Sequence, residues 1–161
     1  MKLSPIQLID YHVTRLTVEA CATFDRDEPM DLDPADLEVA ASTSRLSDGD
    51  DLRWTVSLIV RHEPVKGKNI PYRLTIEIVG LVTTVTKKVD ETLRHAVEVN
   101  GPSMLFGAAR EILREATARG PYGSIVIPSA SFFTPPPEAV QPSESAARKK
   151  PLRGKRSATG K

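Results

Sequence analysis

Residues 52–80 read LRWTVSLIVRHEPVKGKNIPYRLTIEIVG, and their alternation decides the fold class. Leu52, Trp54, Val56, Leu58 and Val60 occupy every second position, with Arg53, Thr55, Ser57 and Arg61 between them. A strand turns successive side chains to opposite faces, so this is the pattern of a half-buried strand. Pro64-Val65-Lys66-Gly67-Lys68-Asn69 breaks the pattern with loop-forming residues and predicts a hairpin connection. Tyr72, Leu74, Ile76 and Ile78 then resume period two, and Gly80 predicts a bulge or an exit bend.

Working back toward the N-terminus, residues 6–20 (IQLIDYHVTRLTVEA) alternate too, but change phase. Ile9, Tyr11 and Val13 share one parity and Leu16, Val18 and Ala20 the other, which predicts a β-bulge or bend near Thr14-Arg15. Asp25 to Asp36 is acidic, carries Pro29 and Pro34, and suits a surface loop. Leu37, Val39, Ala41 and Thr43 alternate weakly and predict a short strand, followed by turn chemistry at Ser47-Asp48-Gly49-Asp50. Four consecutive strands joined by loops imply an antiparallel meander.

Past Gly80 the period changes. Val89, Leu93 and Val97 recur every four residues and predict a short helix across the end of the sheet. Asn100-Gly101-Pro102-Ser103 reads as a helix start, because proline is tolerated where an N–H has no partner anyway. Residues 103–119 predict a longer helix with Leu105, Ala108, Ala109, Ile112, Leu113 and Ala116 on its apolar face; Gly120-Pro121 ends it. Ser124 to Phe133 is a short apolar return segment. The expected fold class is therefore α+β: a four-stranded antiparallel meander sheet with a long C-terminal helix packed on one face.

Thr134-Pro135-Pro136-Pro137 stops regular structure, and beyond it the chain is mostly Pro, Ser, Ala, Lys and Arg. That composition buries too little apolar surface to offset ordering entropy, so the expected division is a folded domain over 1–133 and a disordered basic Pro-rich tail over 134–161. The tail holds seven basic and two acidic residues; with a whole-chain charge of +1, about four net negative charges fall on the body.

The single cysteine, Cys21, excludes an internal disulfide framework and fits a reducing compartment. No apolar run approaches the ~18 residues of a membrane span, and the N-terminus has no apolar leader core. A cytoplasmic protein without membrane insertion is the expectation. His12, His62 and His95 lack metal-ligand spacing, and there is no phosphate-cradling glycine loop and no nucleophile elbow. The carboxylates between Asp25 and Asp36 lack the calcium-loop pattern and read as a solvated loop. Neither catalysis nor a cofactor is expected. The basic tail could attract phosphates or acidic partners, but it lacks the aromatics that stack on bases, so nucleic acid is not the expected partner.

The segment from Asn100 to Phe133, NGPSMLFGAAREILREATARGPYGSIVIPSASFF, resembles the signature region of the SecB family of protein-export chaperones. The positions that carry the resemblance are Pro102, Leu105, Phe106, Arg110, Glu111, Arg119, Gly120, Tyr122, Ile125, Ile127, Pro128 and Phe132. It implies a homo-oligomer built as a dimer of dimers, binding unfolded preproteins in apolar grooves and keeping them translocation-competent for the SecA motor of Sec-dependent export. It also admits a SecB-like chaperone that protects an antitoxin client. Met104, Leu105, Phe106, Tyr122, Ile125, Val126, Ile127, Phe132 and Phe133 are the residues it implies for client-groove or core surface, and Glu19 and Glu77 those for motor docking. The chain departs from the family at Gly107, where proline is usual, at Arg15, where an acidic residue is usual, and in its basic tail. Pro135-Pro136-Pro137 leaves no room for a second C-terminal helix.

Overall fold

The structure, a computed structural model, describes residues 4–46, 52–85 and 90–133. The expected turn at Ser47–Asp50, the helix position Val89 and the tail from residue 134 lie outside the described residues. Strand β3 (Arg53–His62) buries Trp54, Val56, Leu58, Val60 and His62 on one face, as its alternation requires. Strand β4 (Tyr72–Thr84) pairs with it antiparallel, setting Val60 opposite Ile76, Leu58 opposite Ile78 and Val56 opposite Gly80. The apolar sets of both strands thus fall on one face. Each of these side chains, fully buried, contributes roughly 1.5–3 kcal/mol.

The sheet has four antiparallel strands, as expected, but its order is β1-β4-β3-β2. The meander holds only for β2 (Leu37–Arg45), β3 and β4; β1 (Ile6–Ala20) lies beside β4, giving a Greek-key arrangement. The reason lies in residues 21–36. They form a crossing connection rather than a tight turn, and the 65–69 hairpin loop holds them in place. The Asn69 amide donates to the carbonyls of Asp25, Glu28 and Pro29 and accepts from the Asp25 N–H. Lys68 pairs with Asp33 and Asp36 at the end of the same connection. The acidic loop is therefore anchored, which its composition did not reveal.

The bulge expected near Thr14-Arg15 is present as a register shift between Val13 and Arg15, and a second shift lies between Leu8 and Asp10. With both, Leu8, Tyr11, Val13, Leu16 and Val18 oppose Val82, Gly80, Ile78, Ile76 and Leu74, the core-facing set of β4. Leu8 and Val18 pack against the core. Tyr11, Val13 and Leu16 remain 42, 37 and 45% exposed, an apolar row on an edge strand.

One continuous helix, α1 (Glu91–Ala118), replaces the two expected helices. Asp90 caps it, its carboxylate accepting from the Leu93 N–H. Leu93, Val97, Gly101, Leu105, Ala109, Leu113 and Thr117 form one buried stripe at four-residue spacing. Gly101 hid the continuity of that stripe. A Cβ there would stand 2.8 Å from Val56 Cγ2, so glycine lets the helix touch β3. Pro102 is inside the helix, not at its start. The N–H that Pro102 lacks would have met Glu98 O; on either side of that gap Asn100 Nδ2 donates to Ala96 O and Ser103 Oγ to Val99 O, both at 2.7 Å. Gly80 likewise marks an approach and not a bend; β4 runs on to Thr84, and a Cβ at Gly80 would lie 2.7 Å from Leu105 Cδ2.

Candidate functional site

Strand β2 is the second edge of the sheet, and its side chains are only half-buried or exposed. Facing it are α1 and residues 120–133, which fold back along the helix. The turn that starts this return is built around Tyr72, whose side chain is 1% exposed. Its hydroxyl lies 3.1 Å from Gly123 O and 3.3 Å from Thr117 O, and accepts from the Tyr122 N–H at 2.9 Å. The space beside Gly120 is filled by the same hydroxyl, 2.6 Å from where a Cβ would be, and Gly123 takes a positive φ of 81°. Thr117 Oγ1 accepts from the Ile125 N–H, and Arg110 Nε donates to Ile127 O. Ile125 and Ile127 then insert into the core, while the rings of Phe132 and Phe133 pack against Phe106 and His95.

Between β2 and this helix-and-return layer lie two cavities. The first, about 410 Å³, is lined by Val39, Ala41, Ser42, Thr43, Glu98, Pro102, Ser131, Phe132 and Phe133. The second, about 370 Å³, is lined by Thr43, Ser44, Arg45, Trp54, Asp90, Glu91, Arg94 and Glu98. Thr43 and Glu98 line both, so they run on as one groove along β2. Consecutive residues from Ala41 to Arg45 contact it. β2 is an edge strand, so the groove runs beside an edge that no other strand of this sheet pairs with among the described residues. From Val39 to Ser44 that edge is about 17 Å long at the usual rise per residue.

The residues expected from the sequence divide into groups. Leu105, Phe106, Ile125 and Ile127 are core residues, 4% exposed or less. Tyr122 is half-buried against Phe24 and Tyr72, its hydroxyl donating to Cys21 O, with the Arg26 guanidinium 5.4 Å from its ring centre. Met104 packs half-buried on the core and Val126 faces solvent. Only Phe132 and Phe133 of the nine line the groove. Val39, Ala41 and Pro102 were not anticipated there; the weak alternation of residues 37–43 was the one signal for β2.

Glu19 and Glu77 lie on the opposite face of the sheet. Glu77 has Arg15 at 3.6 Å and Arg61 at 3.7 Å; Glu19 has Arg73 at 3.1 Å. Arg73 also holds Glu63, and its hydrogen bonds to Glu19 and then Glu63 keep its guanidinium more firmly protonated than usual. Exposed pairs of this kind contribute little to stability, typically under ~1 kcal/mol, but they offset the acidity of the face.

Among the described residues no cluster of His, Cys, Asp or Glu is arranged to hold a metal ion, and no helix is long and apolar enough to cross a membrane. No family model matches the chain, and no curated protein matches its sequence. Solved structures do match. One is a SecB-like chaperone of Mycobacterium tuberculosis in complex with a ChAD peptide from the HigA1 antitoxin. The likeness has a TM-score of 0.59 at 14% identity and covers 78% of this chain and 91% of that one. At that identity the likeness is one of architecture: this chain has the SecB-like α+β fold, four antiparallel strands with one long helix packed on them.

Proposed function

We propose that the chain is a holding chaperone, and that non-native polypeptide segments bind in the groove beside β2. The observation that carries this reading is the groove itself, about 17 Å of edge strand from Val39 to Ser44 next to Phe132, Phe133 and Pro102. An extended segment there gains main-chain hydrogen bonds from the edge and apolar contact from every second side chain, without a fixed sequence. Each 100 Å² of apolar surface so covered contributes about 2.5 kcal/mol. The structural neighbour supports a client of antitoxin type, since it was solved with an antitoxin peptide. Delivery to a SecA motor in Sec-dependent export is the broader version of the same activity. It has less support here, because Glu19 and Glu77 are already paired with arginines of their own sheet. Assembly as a dimer of dimers would cover the apolar row Tyr11, Val13 and Leu16 on β1, and the protein in this reading is a cytoplasmic chaperone with no catalytic role.

The test is light scattering from an aggregating, chemically unfolded protein with and without the chain, alongside its mass in solution. Near-stoichiometric suppression by an oligomer is expected. Ala41→Arg and Phe133→Ser, both at exposed positions, should remove most of it, whereas Thr55→Arg on the opposite sheet face should not. Equal suppression by all three variants would refute the groove as the client site.

A further inference from the structure

The two edges of the sheet are built differently. β1 carries two register shifts against β4, whereas β2 pairs with β3 from Leu37 to Arg45 without one. Bulges, prolines and charges are the usual protection of an edge against a further strand. From Val39 to Ser44, β2 has none of them; its charged residues, Glu38 and Arg45, stand at either end of that stretch.

The ladder fixes which groups β2 turns outward. Leu46 N–H donates to Arg53 O on one side of β3, and Thr84 N–H donates to Leu52 O on the other. Directly opposed residues of an antiparallel pair exchange hydrogen bonds at every second position. Both bonds give the same phase: β3 bonds to β2 through Thr55, Ser57 and Ile59, and to β4 through Trp54, Val56 and Leu58. Their partners on β2 are Ser44, Ser42 and Ala40. Val39, Ala41 and Thr43 therefore point N–H and C=O away from β3, and no described residue bonds those groups. The same three residues line the first cavity.

On the reading that the groove is the client site, we infer that a client segment joins β2 as an antiparallel fifth strand. One alternate set of client residues then carries both its hydrogen bonds and its apolar contacts. Residues directly opposite Val39, Ala41 and Thr43 exchange N–H and C=O with them and place their side chains on the same face of the sheet, beside the cavity. The residues between them turn their N–H to solvent and their side chains to the other face. The client class is thus a segment with a large apolar residue and an intact N–H at every second position, and with any residue, proline included, between. A second copy of β2 fits less well, because from Val39 to Ser44 it brings only Val, Ala, Ser and Thr side chains to a cavity of about 410 Å³. A parallel strand would reverse the rule, taking its hydrogen bonds from the residues whose side chains point away from the groove.

The test uses the full chain and the capped peptide Lys-Thr-Leu-Thr-Leu-Thr-Leu-Thr-Lys. N-methylation of the central leucine, which removes one donor and leaves the side chain, should weaken binding roughly 10-fold. N-methylation of the threonine next to it should change binding less than about 2-fold. Amide exchange at Val39, Ala41 and Thr43 should be fast in the chain alone and slow with the peptide, while Ala40 and Ser42 stay as they are. If both methylated peptides bind like the parent, the strand inference fails and the groove stands. If threonine methylation is the damaging one, the added strand is parallel and the inference is overturned. Slow exchange at those three amides in the chain alone would mean that a second copy already occupies the edge, and would overturn it too. If the parent peptide does not bind but reduced, carboxymethylated α-lactalbumin, a permanently unfolded polypeptide, still does, the inference fails alone. If neither binds, the client reading fails with it.

Discussion

Two glycines of α1 separate close packing from helix propensity. Gly101 and Gly107 both lie within the helix, where alanine is favoured over glycine by about 0.5–1 kcal/mol. At Gly107 an added Cβ meets nothing within 4 Å, so Gly107→Ala should stabilise the protein by about that amount. At Gly101 it meets Val56 Cγ2 at 2.8 Å. Val56 is fully buried, and a β-branched side chain has few rotamers to escape into. The helix must lift from β3 or the core must shift, at a cost of about 1–3 kcal/mol. Set against the propensity gain, Gly101→Ala should destabilise by about 1 kcal/mol. Propensity cancels between the two variants, so their difference isolates the contact at about 1–3 kcal/mol. Urea unfolding with a shared slope measures it directly. If both substitutions stabilise equally, the helix does not approach β3 at Gly101 and the continuous buried stripe is wrong.

Tyr72→Phe removes the hydroxyl that ties Tyr122, Gly123 and Thr117 together; it should cost about 1–3 kcal/mol and raise amide exchange at Tyr122 and Ile125 more than at Val56. Unchanged exchange at those two amides would show that the return segment is held elsewhere. The Asp33 carboxyl is held below its ordinary 3.8 first by the Ala35 N–H and then by Lys68. A depressed carboxyl stabilises the fold above its unfolded value, and that contribution is lost as pH falls through the folded one. The loop should therefore loosen only below about pH 3.8, and Lys68→Met should move the Asp33 midpoint, followed by carbon-13 NMR, only part of the way back. A full return would mean the Ala35 hydrogen bond contributes nothing.

The central strands were legible because burial enforces period two. Trp54 to Val60 and Tyr72 to Ile78 each lose their core if the register slips by one. The phase change in β1 was also legible, since an odd step between Val13 and Leu16 has few structural solutions. The order of the strands was not. A Greek key and a meander present the same alternation, and what separates them here is Asn69 and Lys68 reaching residues that are 32 or more positions away. The single helix was not legible because Asn100-Gly101-Pro102 has the chemistry of a boundary, while its glycine is needed for contact with Val56 and its proline is carried inside a helix held by the packing of its buried stripe on either side. In the groove, Phe132 and Phe133 could be found from an apolar run, but Val39 and Ala41 could not. A half-buried edge strand leaves only a weak pattern, and which surface an edge strand presents depends on what packs opposite.

The most direct measurement is to see where an unfolded polypeptide touches the protein. A spin-labelled, carboxymethylated α-lactalbumin added to the methyl-labelled full chain broadens whatever signals it approaches. The expected result is broadening at Val39, Ala41 and Thr43 of β2, with Val79 and Leu81 on the opposite sheet face unaffected. Broadening confined to the opposite face, or none at concentrations where aggregation is suppressed, would contradict the account.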